Sequence, residues 1–157
     1  MRSSSIHEIK QELVTLKPAE VTALCLRLAR FKKENKELLT YLLFEAHDEQ
    51  NYIKNVREEI EKLFAEINLS HLYFAKKTLR KILRVINKHS RYSGNKQTDM
   101  ELRIFFCRQL KASGIPFRQN AVLSNMFDGQ LKKIDAALAT LHEDLQHDYK
   151  KEIAALR

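Results

Sequence analysis

Apolar residues recur at steps of three and four along almost the whole chain, the period of helices that each bury one face. Ser5 followed by Glu8 has the spacing of a capping box, which predicts a first short helix from about Ser5 to Leu16. Pro18 suits the first position of a second helix, about 18 to 32, along which Val21, Leu24, Leu28 and Phe31 form a stripe. A third helix is expected over about 34 to 47 on Leu38, Leu39, Leu42 and Leu43. A fourth, near 49 to 66, carries Tyr52, Val56, Ile60, Leu63 and Ile67. These four read as consecutive antiparallel helices with short connections.

A fifth helix, about 70 to 90, should stop before Ser93-Gly94, where glycine permits a left-handed cap. Thr98 and Glu101 have capping-box spacing again, predicting a sixth helix over about 99 to 112, ended by Ser113-Gly114-Ile115-Pro116. NAVLSNMF then reads as helical, and Asp128-Gly129 as a cap, a kink or an interruption. Beyond it Leu131, Ile134, Leu138, Leu141 and Leu145, continued by Tyr149, Ile153 and Leu156, form the most regular seam of the chain. It predicts a long C-terminal helix over 129–157 that packs on its own bundle or zips to a second copy as a homodimer. The fold class is all-α: a multi-helix bundle or a loose stack of antiparallel helix hairpins, with about six to eight helices. No internal repeat emerges at periods of about 30 to 50 residues.

Composition agrees with this pattern. Charged residues at 31% and hydrophobic residues at 44%, with only three glycines and two prolines, disfavour both disorder and a sheet rich in tight turns. The 157 residues are read as a single all-helical domain over 1–157. Cys25 and Cys107 each sit inside an apolar helical pattern and are expected to be buried small hydrophobes. The N-terminal stretch lacks the apolar run of a signal peptide, and no segment approaches the roughly 20 apolar residues of a membrane span. A cytoplasmic location is the expectation.

Catalytic and metal motifs are not legible. His142 and His147 are five apart, which places them about 140° from each other around a helix at about 100° per residue, so one ion does not bridge both. Gly94, Gly114 and Gly129 stand alone and build no phosphate-cradling loop. No serine sits in a nucleophile elbow. The expectation is a non-enzyme with no cofactor and no bound metal.

Charge does change the picture. Between Glu66 and Asp99 there is no acid, but there are Lys76, Lys77, Arg80, Lys81, Arg84, Lys88, Arg91 and Lys96. The rest of the chain is balanced, so the whole formal net charge of +8 resides in this segment. On a helix, Lys77, Arg80, Lys81, Arg84, Lys88 and Arg91 occupy one arc, and Leu72, Ala75, Leu79, Ile82, Leu83 and Ile86 the opposite one. Like charges at i, i+4 repel by roughly 0.2–0.5 kcal/mol per pair, a cost that one glutamate would remove. Its retention points to an anionic partner, although lysines and arginines also serve as a solvated outer face. Tyr73 lies near the same arc and Tyr92 at its edge, where they would permit base stacking.

The segments KENKELLTYLLFE at 33–45, YIKNVREEIEKLF at 52–64 and AKKTLRKIL with DMELRIFFCRQLKASG between 75 and 114 resemble a family of small bacterial helical proteins of unknown function. The resemblance covers about half of the chain. It implies an all-helical cytoplasmic protein and no catalytic residues. Together the observations predict a non-enzymatic interaction module whose basic helix, 70–90, engages an acidic protein or nucleic acid. The alternative is an enzyme or small-ligand protein with an interhelical pocket assembled from distant residues.

Overall fold

The computed structural model describes residues 2–157. They are 81% helical, with eight α-helices and no strand among the described residues. The helices are α1 (Ile6–Thr15), α2 (Pro18–Phe31), α3 (Lys33–Thr40), α4 (Glu49–Ala65), α5 (Leu72–Ser93), α6 (Lys96–Ala112), α7 (Ala121–Leu138) and α8 (Glu143–Ala154). None of them is long and apolar enough to cross a membrane.

The contacts divide the chain into two compact units, residues 1–44 and 45–157. In the first unit the predicted capping box forms: Glu8 N donates to Ser5 Oγ at 3.2 Å, and Ser5 N donates to Glu8 Oε2 at 2.6 Å. Pro18 opens α2 as its first residue. α2 and α3 pack on each other, whereas α1 makes no comparable contact with either. None of the three helices has a fully buried residue. α3 passes into a π-helical turn over Tyr41–Glu45, and Leu42 and Leu43, expected in a core stripe, are more than half exposed.

The second unit holds the core. α6 lies at its centre, packing against α4, α5 and α7. Its sequence explains the position, because MELRIFFCRQL is apolar on nearly every side, as a helix surrounded by others must be. Leu102, Phe106, Cys107 and Leu110 of α6 are fully buried, along with Ile60 of α4, Leu79, Ile82 and Ile86 of α5, and Leu123, Phe127 and Ile134 of α7. The stripe of α4, expected to face a preceding helix, is shared with α5 and α6.

Several predicted boundaries move for identifiable reasons. α5 ends at Gly94, whose φ of 67° is the left-handed conformation expected of it. α6 begins three residues earlier than Thr98 suggested, because Asn95 accepts from Gln97 N at 2.8 Å and becomes the cap. Thr98 instead donates to Glu49 Oε1 at 2.5 Å. Cys25 is exposed, contrary to expectation, while Cys107 is buried.

The long helix expected over 129–157 is two helices. Gly129 lies inside α7, and the break falls at 139–142, where Thr140 Oγ1 donates to the Ala137 carbonyl at 2.7 Å and His142 caps α8. Arg118 explains why Asp128-Gly129 does not interrupt α7. Its guanidinium lies 4.6 Å from the centre of the Phe127 ring and binds Asp128 Oδ1 at 2.7 Å, holding this turn in place. A Cβ at Gly129 would meet no side chain or neighbouring element within 4 Å beyond its own turn of helix. Gly129→Ala is therefore expected to raise stability by about 0.5–1 kcal/mol, read as a higher urea midpoint; a lower midpoint would show that the site is not an open helical one.

Candidate functional site

α5 is built as the charge pattern predicted. Ala75, Leu79, Ile82 and Ile86 are buried at helical spacing, and Lys77, Arg80, Lys81, Arg84 and Arg91 are exposed on the other side. Among the described residues no carboxylate lies within ion-pair distance of any of these five. Lys88 differs, being half-buried with its ammonium 6.0 Å from the centre of the Tyr92 ring. From Lys77 to Arg91 the row extends about 21 Å along the helix at about 1.5 Å per residue. Such a row attracts any anionic surface within a Debye length of about 8 Å at physiological salt.

Two features of the site were not visible in the residue pattern. The first is an apolar rim at the N-terminal end of the basic row, where Leu69, Tyr73 and Phe74 are 64%, 72% and 48% exposed. The Tyr73 and Phe74 rings meet edge to face at 5.4 Å. The second is an open groove of about 540 Å³ lined by Tyr73, Lys77, Arg80, Leu83, Arg84 and Asn87. Leu83 was expected to face the core, but it is half-buried and supplies an apolar patch between cations. Asn87 Oδ1 accepts from Arg103 Nη2 at 2.9 Å, which ties the end of the groove to the interior. Tyr92 turns inward, only 8% exposed and against the His89 ring, so the pair of stacking tyrosines reduces to Tyr73.

Elsewhere the polar groups are occupied in holding helices together. Glu101 accepts from Arg57 at 2.9 Å, from Gln97 at 3.2 Å and from the Tyr149 hydroxyl at 2.5 Å, joining α4, α6 and α8. Burial and the hydrogen bond to Glu101 push the Tyr149 hydroxyl up to about 12, which keeps it a proton donor to that carboxylate. Burial likewise pushes the Cys107 thiol up to about 12, far from a nucleophilic thiolate. A second open depression, of about 800 Å³, lies along α6 and α8. There Arg108 pairs with Glu152, and Lys111 Nζ donates to the carbonyls of Ala155 and Leu156 at 3.0 and 3.2 Å. His142 is the cap of α8 and His147 lies within it. Among the described residues no three His, Cys, Asp or Glu side chains are grouped to hold a metal ion.

No protein-family model matches the chain, and no curated protein and no solved structure does either. The functional reading therefore stands on the geometry of α5.

Proposed function

We propose that the protein is a non-enzymatic interaction module whose α5 face docks an acidic segment of a protein partner that also carries apolar side chains. The carrying observation is the row Lys77, Arg80, Lys81, Arg84 and Arg91, exposed and without ion pairs among the described residues. The apolar surface beside it favours a protein over nucleic acid as partner. Tyr73, Leu83 and the exposed Phe74 would receive hydrophobic side chains while the cations meet carboxylates. A cytoplasmic setting belongs to this reading, since an exposed thiol such as Cys25 stays reduced there.

The test is binding of poly-L-glutamate and of a short duplex DNA to the wild-type chain and to Arg80→Glu/Arg84→Glu. The double reversal is expected to weaken polyglutamate binding at least tenfold, with stability changed by no more than about 0.5 kcal/mol, because both residues are exposed and unpaired. Reversing Lys132 and Lys150, exposed on α7 and α8, is expected to leave binding within about twofold. Tighter binding to DNA than to polyglutamate, with a log-log salt slope of about −3 to −4, would replace the protein partner by nucleic acid. Equal binding by both double mutants and the wild type would reduce the basic row to a solvated face.

A further inference from the structure

Residues 1–44 expose apolar side chains on a scale that the second unit does not. Ile6, Val14, Leu28 and Phe31 are 83%, 73%, 61% and 77% exposed, and Leu42, Leu43 and Phe44 are each above half. For so short a segment this is a heavy apolar exposure, of the kind that marks an interaction surface. Scattered apolar residues need no explanation, but a unit of three amphipathic helices without a buried residue in any of them does.

The surface has two complementary parts. On α1, Ile6, Ile9 and Leu13 follow at i, i+3 and i+7, a stripe of the kind that seats a helix in a groove. Between α2 and α3 there is such a groove, about 250 Å³, walled by Cys25, Leu28, Leu38, Leu39 and Leu42. The amide of its one polar residue, Asn35, is spent on the Leu28 carbonyl at 2.9 Å. The volume falls below the roughly 300–1,000 Å³ of small-molecule sites, so it suits side chains rather than a cofactor. α1 makes no packing against α2 or α3 comparable to that between α2 and α3, and a linker of only Leu16 and Lys17 separates it from α2.

We propose that residues 1–44 form a twofold dimer in which the α1 stripe of each copy occupies the α2–α3 groove of the other. A second copy is the occupant that fills both stripe and groove at once, since an isologous pair makes the same contact twice. Charge agrees. α1 carries Glu8 and Glu12 against Lys10, whereas the stretch 27–37, which contributes Leu28 and Asn35 to the groove, carries Arg27, Arg30, Lys32, Lys33 and Lys36 around it against Glu34 and Glu37. A lipid surface would be served by a polar face on α1 rich in Lys and Arg, and α1 has a single lysine against two glutamates. The C-terminal seam is less suited to self-association, because Ile134, Ile153 and Leu156 are already buried.

Sedimentation of the full chain tests the proposal. At roughly 10 µM protein the expected mass is twice the 18.5 kDa of one chain. Ile9→Glu/Leu13→Glu on the stripe, and separately Leu28→Glu in the groove, are expected to raise the dimer dissociation constant at least about a hundredfold with helical content unchanged. A cross-link guards against a variant that merely misfolds: with Leu13→Cys, mild oxidation should join this position to Cys25 of a second copy and give a covalent dimer on a non-reducing gel. A monomer throughout the micromolar range would overturn the proposal. So would a dimer indifferent to all three glutamates, a cross-link confined to one chain, or a monomer that binds neutral phosphatidylcholine vesicles through α1. The basic row of α5 plays no part in any of these readouts, so the two proposals fail independently.

Discussion

Asp99→Ala is expected to destabilise the helical body of residues 45–157 by about 3–5 kcal/mol, although Asp99 sits only four residues before its partner on the same helix. Ordinary i, i+4 pairs contribute a few tenths of a kcal/mol, but this one is not at the surface. Arg103 is 5% exposed in the middle of α6. Its Nε and Nη2 donate to the two carboxylate oxygens of Asp99 at 3.0 and 2.7 Å, its Nη1 to Gln130 Oε1 at 2.7 Å, and its Nη2 also to Asn87 Oδ1. Without Asp99 a buried guanidinium keeps only neutral acceptors on α5 and α7. Thermal unfolding should register a fall in Tm of roughly 12–20 °C. Adding Arg103→Leu to Asp99→Ala should restore much of the loss, since it is the unpaired buried charge that is costly. A loss below about 1 kcal/mol in the single variant would contradict this account.

The same pair gives a pH dependence with a definite sign. Burial raises the Asp99 pKa, but the hydrogen bonds from Arg103 and the charges of Arg103 and Lys133 outweigh it, so the carboxyl titrates below the ordinary range. The unfolded chain therefore takes up this proton at a higher pH than the folded one. The stabilisation is fully present above the unfolded value of about 3.9 and is lost as pH falls through the lower folded value. The difference between wild type and Asp99→Ala should hold steady from neutrality to about pH 5 and narrow only below about pH 4.

What could be read from the sequence, and what could not, follows from which interactions are local. Ser5, Pro18 and Gly94 announce helix ends by their own backbone chemistry, and each does so in the structure. The basic row of α5 was legible because charge without a nearby acid needs no tertiary information. Thr98 and Glu101 misled because their spacing mimics a cap while their side chains serve distant partners, Glu49, Arg57 and Tyr149. The break at 139–142 was hidden because a chain that turns and re-enters the same core preserves the three-four rhythm. The available signal was Thr140 and His142 ahead of the acids Glu143 and Asp144, a helix-start pattern without glycine or proline. Apolar exposure was the least legible property. Stripes on α1 and α2 look like those on α4, and only the packing reveals that the former leave every residue at least partly exposed.

Phe106→Ala is expected to cost about 3–5 kcal/mol, a large share of the roughly 5–15 kcal/mol that holds a domain folded. Phe106 is fully buried on α6, with its ring centre 5.7 Å from that of Phe64 on α4. Alanine removes the ring from a site enclosed by close-packed helices, where the walls relax only partly and a cavity adds to the lost burial. Phe105, next to it in the chain, is the internal control. It is half-buried beneath the Arg57 guanidinium at 5.5 Å, at the edge of the core rather than within it, and its truncation should cost clearly less. Urea unfolding followed by far-ultraviolet circular dichroism measures both, with an unchanged m-value showing that the two variants unfold from the same native state. If the neighbouring truncations cost the same, α6 is not the centre around which α4, α5 and α7 pack. If Phe106→Ala alone removes most of the stability, the core of residues 45–157 is carried by one face of one helix, and the exposed basic row of α5 is free to vary in charge without endangering the fold that presents it.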